Sequence, residues 1–213
     1  MNIIIFGNSI TQGFWDDEMG GWVNRLAVYG MKQSVASDYE GGFSTFNLGV
    51  SGEDIRGIQE RFETEIENRL GRHGEQDIIV VLAVGVNDSQ VDIKTGEHRT
   101  ELDEYKEKLQ SMITSATENG RSVVCIGLAP IDESVLDPMP WKPTHAYRVE
   151  EVATYNEAIR NVAEENEILF ISLENLFGDT PGKYTTDGIH PTAEGHRLIF
   201  ERVKKVLEEE KVI

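Results

Sequence analysis

The sequence predicts a three-layer α/β domain: a parallel sheet with helices on both faces, joined by right-handed crossovers. Three observations carry this prediction. Five short apolar runs alternate with five helical patterns along the chain. Four of those runs are nearly continuous in apolar residues, as strands covered on both faces must be. A length of 213 residues, with 39% hydrophobic and 27% charged side chains, suits one well-packed domain over 1–213 and is short for two.

The first run, Ile3–Phe6, is expected as a buried strand. The pattern around Trp22–Val35 is helical but interrupted by Gly30. The second run, Phe43–Leu48, carries Ser44, Thr45 and Asn47, so it belongs at a sheet edge. Ile55, Ile58, Phe62, Ile66 and Leu70 recur every three or four residues and define an apolar helix stripe. The run Ile78–Val84 follows, then a stripe of Leu102, Tyr105, Leu109, Met112 and Ala116. The run Val123–Leu128 precedes a stripe of Val149, Val152, Ile159 and Val162. The last pair is Ile168–Ile171 and a helix carrying Leu198, Ile199, Val203, Val206 and Leu207. Residues 129–145 hold four of the six prolines, with Trp141 and His145, and cannot form regular helix or central strand. Because this loop follows the fourth strand, it either walls a ligand site or is a rigid surface excursion.

Acidic residues outnumber basic ones by 38 to 20, for a formal charge of −18. That field repels phosphates, and no basic stripe overrides it, so no nucleic-acid partner is expected. Cys125 is the sole cysteine, within the apolar Val123–Ile126, and reads as a small buried thiol. Met1–Phe6 lacks a basic flank and is too short for a signal peptide. No apolar run approaches the roughly 20 residues of a membrane helix. A cytoplasmic protein without membrane attachment is expected. Oligomeric state is not readable.

Four polar clusters interrupt this pattern. Gly7-Asn8-Ser9-Ile10-Thr11 leaves the first strand, and glycine permits a tight exit that presents Ser9 at the sheet edge. Asn47-Leu48-Gly49-Val50-Ser51-Gly52 precedes a helix, and Gly52 lets a backbone N–H approach a ligand. Gly85-Val86-Asn87-Asp88 supplies an amide donor in Asn87. Asp187-Gly188-Ile189-His190-Pro191 precedes the last helix, and a turn there can join carboxylate to imidazole. Acyl transfer by a serine needs a base, an anion that orients the base, and donors aimed at the oxyanion. The Ser9 N–H, Gly52 N–H and Asn87 amide can converge, since each leaves a neighbouring strand at the same end. Each cluster alone has an ordinary structural reading as a turn or cap.

Together, in this order, the clusters resemble the four blocks of the SGNH hydrolases, also called GDSL-type esterases and lipases. The resemblance spans Gly7 to Pro191. It implies a flavodoxin-like fold with a five-stranded parallel sheet. It implies Ser9 as nucleophile, His190 as base, Asp187 as its orienting anion, and an oxyanion hole of Ser9 N–H, Gly52 N–H and Asn87. It implies no metal and no organic cofactor, and a small-molecule ester as substrate. The family also covers thioesterases, lysophospholipases and carbohydrate deacetylases; short-chain acyl or acetyl esters are favoured here. Its serine block usually reads Gly-Asp-Ser, whereas this chain has Gly7-Asn8-Ser9. Asn keeps an acceptor oxygen and loses the charge, which bears on tuning and not on reaction class.

His196, within the last helix, and His73, after a helix end, read as structural. His98 and His145 read as exposed loop residues with a possible substrate contact. Trp15 or Trp22 either lines a pocket or packs in the core. Two rivals remain. A metallohydrolase using Asp187 and His190 lacks a His-Glu-x-x-His or comparable ligand set. A non-catalytic flavodoxin-like module with Gly49–Gly52 as phosphate loop is opposed by Glu53 and Asp54.

Overall fold

The computed structural model describes residues 1–38, 40–70 and 77–213. Its first interior strand is β1 (Asn2–Gly7), in which every residue is buried. On one side β1 pairs with β2 (Ser44–Gly49), on the other with β3 (Ile78–Ala83). Beyond β3 come β5 (Ser122–Ile126) and β7 (Leu169–Ile171), giving a parallel sheet of order β2-β1-β3-β5-β7. The polar run is therefore an edge strand, as its serine, threonine and asparagine content predicts.

Alternation along β1 assigns side chains to two cores. Ile4 and Phe6 pack with Val80 and Leu82 against α3 (Ile55–Glu67), α4 (Leu102–Glu118) and α5 (Val149–Glu165). Ile3 and Ile5 pack with Ile79 and Val81 against α2 (Trp22–Ala36) and α6 (Ala193–Glu209). Each of these apolar side chains, buried from water, contributes about 1.5–3 kcal/mol. Every crossover begins at a carboxyl end of a strand. The direction of winding reverses between β1 and β3, which opens a crevice there.

Several expectations change in detail. Gly30 does not interrupt α2, which runs unbroken through it. A Cβ on Gly30 would lie 2.5 Å from the Phe43 carbonyl oxygen, so glycine lets helix and β2 approach closely. Leu70 lies beyond the end of α3 and is exposed. Val149, assigned to a buried stripe, is also exposed at the start of α5. The run Val123–Leu128 stops being strand at Ile126. Residues 129–145 hold a 3-10 turn at Glu133–Val135 and the first residue of β6 (His145–Ala146). β6 pairs antiparallel with β4 (Val91–Asp92), a two-stranded ribbon that periodicity did not predict. No helix of the described residues is long and apolar enough to cross a membrane.

Candidate active site

The site lies at the carboxyl end of β1 and β3. Gly7 ends β1 where a Cβ would strike the Thr11 side chain and sit 2.7 Å from the Ala83 carbonyl oxygen. Asn8 then caps a four-residue helix, α1 (Ser9–Gln12), its Oδ1 accepting from the Ile10 N–H at 3.0 Å. Capping needs only an acceptor oxygen, and Asn supplies it as well as Asp does. Ser9 is left at the first position of α1, 4% exposed.

Ser9 Oγ lies 2.9 Å from His190 Nε2, across 181 residues of chain. His190 Nδ1 lies 2.7 Å from Asp187 Oδ2. The loop bearing both is closed by Thr186 N–H donating to the His190 carbonyl at 2.8 Å. Asp187 Oδ1 accepts from the backbone N–H of His190 at 2.9 Å and of Ile189 at 3.2 Å. Gly188 has φ +92°, and its missing Cβ makes room for Val135 and Leu136. Its carbonyl accepts from the Asp132 N–H at 2.7 Å. The proline-rich loop thus braces the turn that carries His190.

Burial raises the Asp187 carboxyl, but the hydrogen bonds from the His190 ring and backbone outweigh it and hold the group down at about 2. An ionised Asp187 can only accept, so it accepts the hydrogen bond from Nδ1–H, keeps the proton on Nδ1 and leaves Nε2 as acceptor for Ser9 O–H. The arrangement can deprotonate Ser9 and stabilise the resulting imidazolium.

Gly52 and Asn87 lie in the loops that follow β2 and β3, at the same carboxyl end of the parallel sheet. Gly52 has φ +79°, and a Cβ there would meet nothing within 4 Å. The loop after it is pinned at several points. Arg99 Nη2 donates to the Gly52 carbonyl at 2.7 Å and Arg99 Nε to Asp54 Oδ2 at 3.0 Å. Asn87 Nδ2 donates to the Glu53 carbonyl at 2.8 Å, and Asp88 Oδ1 accepts from the Ile55 N–H at 3.0 Å. Asp88 is fully buried, and desolvation pushes its carboxyl up to about 6 despite that N–H. One amide hydrogen of Asn87 remains for a ligand.

Of the two tryptophans weighed from the sequence, Trp15 is the one at the site, and Phe14 beside it carried no sequence signal. Trp15 Nε1 donates to Asp187 Oδ2 at 3.2 Å, and the Phe14 ring stands 5.2 Å from that of His190. Trp15, at φ +68° and 54% exposed, forms the rim; Trp22 is buried in the core. A groove of about 600 Å³ beside the triad loop is lined by Trp15, Asp16, Asp17, Thr186, Thr192 and Glu194, with Ala193. Arg99, Gln90, Tyr147 and Lys142 carried no local signal at all.

The other candidates separate cleanly. His196 is fully buried, accepting from the Trp22 N–H at Nδ1 and donating from Nε2 to the Phe14 carbonyl. It is structural, as read, and it anchors the segment that carries Trp15. His98 is not a free loop residue: its Nε2 lies 2.6 Å from Glu151. His145 is likewise half-buried, 2.8 Å from Thr144 Oγ1. His73 lies outside the described residues. Cys125 is buried, and desolvation pushes its thiol up to about 12. Glu53 and Asp54, set against a phosphate loop, are paired with Arg61 and with Arg56 and Arg99. Among the described residues, no group of three or more His, Cys, Asp or Glu is placed to hold a metal ion.

Comparison with known proteins shows the family and the fold. Residues 5–198 match the model of the GDSL-like Lipase/Acylhydrolase family. A GDSL esterase/lipase of Arabidopsis thaliana is 28% identical over 218 residues, 98% of this chain and 86% of that protein. An acetylxylan esterase of Geobacillus stearothermophilus is 23% identical over 180 residues, 81% of this chain and 74% of that protein. The crystal structure of an acetyl xylan esterase, AlAXEase, superposes with a TM-score of 0.73 at 22% identity, covering 97% of this chain and 100% of that one. The chain belongs to the GDSL-like lipase/acylhydrolase (SGNH) family and is a carboxylic-ester hydrolase.

Proposed function

We propose that this esterase cleaves short-chain acyl esters, acetylated saccharides foremost, through an acyl-enzyme intermediate on Ser9. The observation that carries the reading is the unbroken line from Ser9 Oγ through His190 to Asp187, with contacts of 2.9 and 2.7 Å. In the first half-reaction Ser9 Oγ bonds to the ester carbonyl carbon and its proton passes to His190 Nε2. The carbonyl oxygen becomes an oxyanion, met by Ser9 N–H, Gly52 N–H and the Asn87 amide. The C–O bond to the alcohol then breaks, and the alcohol leaves with the proton from Nε2. In the second half-reaction water gives its proton to Nε2 and its oxygen to the acyl carbon. The carboxylic acid departs as Ser9 recovers its proton. Asp187, held ionised, keeps Nδ1 protonated throughout.

Two features of the chain support a small, uncharged acyl ester on a sugar. The groove beside the triad loop offers the Trp15 indole and the Asp17 and Glu194 carboxylates, a combination suited to sugar rings and hydroxyls. The net charge of −18 opposes anionic substrates. The relative named acetylxylan esterase points the same way.

The test compares initial rates on p-nitrophenyl acetate, butyrate and octanoate, an acetylated xylooligosaccharide, an acyl thioester and a lysophospholipid. Acetate and the acetylated saccharide should lead, and Ser9→Ala and His190→Ala should each lower kcat by about 10⁴- to 10⁶-fold. Full turnover in both variants would refute the serine mechanism. A preference for octanoate, thioester or lysophospholipid would refute the substrate class alone.

A further inference from the structure

Asn87 ends a line of side chains that runs from the surface to the oxyanion donors. Lys142 Nζ donates to Gln90 Oε1 at 3.0 Å, Gln90 Nε2 to Tyr147 OH at 3.1 Å, and Tyr147 OH to Asn87 Oδ1 at 2.9 Å. Asn87 Nδ2 then reaches the Glu53 carbonyl at 2.8 Å. Gln90, Tyr147 and Asn87 are buried. The β4–β6 ribbon makes the meeting possible: Val91 pairs with Ala146, so Gln90 and Tyr147 are the next opposed residues. Lys142 comes from the proline-rich loop.

The direction of this line is forced from its outer end. An ammonium only donates, so Lys142 claims the Gln90 oxygen and turns the Gln90 NH₂ toward Tyr147. The phenol accepts there, which leaves its single proton for Asn87 Oδ1. With its oxygen occupied, Asn87 must turn its NH₂ the other way, toward the Glu53 carbonyl. Burial pushes the Tyr147 phenol up to about 12, so it stays a donor over the working range. Hydrogen bonds in such a chain polarise one another in a low-dielectric interior.

We infer that Lys142, Gln90 and Tyr147 are positioning residues for ester hydrolysis, fixing which way the Asn87 amide faces and strengthening it as a donor to the oxyanion. The inference rests on the proposed roles of Ser9 and Asn87. The 129–145 loop then does more than brace the His190 turn, since it carries the cation that orders a distant amide.

A double-mutant cycle on p-nitrophenyl acetate tests it, with kcat, KM and melting temperature measured for each protein. Asn87→Ala should lower kcat about 10²- to 10³-fold, the effect of deleting one oxyanion donor. Tyr147→Phe should lower kcat about tenfold with KM changed less than about twofold, and should add nothing in the Asn87→Ala background. A Tyr147→Phe loss that persists undiminished in that background, or no loss at all, overturns the inference. Should Tyr147→Phe fold poorly, Lys142→Met and Lys142→Arg probe the exposed end. Met should lower kcat several-fold, and Arg, which keeps a donor, should restore most of it; equal rates in both overturn the chain. Ser9→Ala in the same assay reports separately on the hydrolase mechanism. An inactive Ser9→Ala beside a fully active Asn87→Ala defeats this inference and leaves the mechanism standing.

Discussion

The two halves of the site are built in different ways. The half proposed to handle protons is short and local: Asp187 and His190 share one four-residue turn, and only Ser9 comes from elsewhere. The proposed oxyanion half is dispersed. Arg99 holds the Gly52 carbonyl, Asp88 holds the Ile55 N–H, and Asn87 is met by Tyr147 and, through Gln90, by Lys142, all drawn from segments between residues 88 and 147. The difference follows from what each half must do. Moving a proton needs two atoms in contact, which a tight turn can arrange. Pre-aiming neutral donors at an oxygen not yet charged needs every competing orientation closed off, and that takes partners on several sides.

The sharpest way to break the comparison is at Asp187. Asp187→Asn keeps the shape but no longer demands the Nδ1 proton, and kcat should fall about 10⁴-fold with little loss of melting temperature. Steady-state kinetics beside a thermal melt decide it; a loss under tenfold would mean that the turn's carboxylate does not orient His190. On the other half, Arg99→Met removes the clamp on the Gly52 carbonyl and should lower kcat about ten- to a hundredfold, with KM nearly unchanged. If KM rises instead and kcat holds, Arg99 touches substrate and does not aim the loop.

The halves also differ in their response to acid. Asp187, held down at about 2, contributes stability that is complete above the ordinary carboxylate range and is lost as pH falls toward 2. Asp88, pushed up to about 6, behaves oppositely. Between about pH 4 and 6 the folded state keeps a proton that the unfolded chain has released, so stability falls as pH rises through that window. Asp88→Asn should remove this slope, worth up to about 3 kcal/mol between pH 4 and 7. Denaturant melts at the two pH values read it directly, and an unchanged slope in the variant would clear Asp88. The smallest effect is expected at Trp15. Trp15→Phe loses one exposed hydrogen bond to Asp187 and should lower kcat about two- to tenfold. An increase in rate would mean that the indole obstructs the site.

Residues whose partners are close in the chain, or whose burial shows in a repeating pattern, could be read before any coordinates. The apolar runs foretold all five strands of the main sheet, because a strand covered on both faces must be apolar throughout. Ser44, Thr45 and Asn47 announced the edge strand. Asp187-x-x-His190 was visible because one turn closes it. Asn8 was noticed as a departure, yet its work as a cap appears only once α1 is seen to start at Ser9.

Close approach and long-range polar contact left no such trace. Gly30 looks like a helix breaker until Phe43 is found where its Cβ would be. Trp15 follows the serine block at a distance that suits many roles, and its bond to Asp187 spans 172 residues. Lys142, Gln90 and Tyr147 fall in no periodic pattern, since a hydrogen bond constrains two atoms and not a repeat. By itself the sequence determined the layered parallel sheet and the chemical kinds of group gathered at its carboxyl edge, because hydrophobic burial and local turns depend on residue type and spacing. Only the tertiary structure decided which way those groups point, because orientation is set by individual atoms brought together from distant parts of the chain.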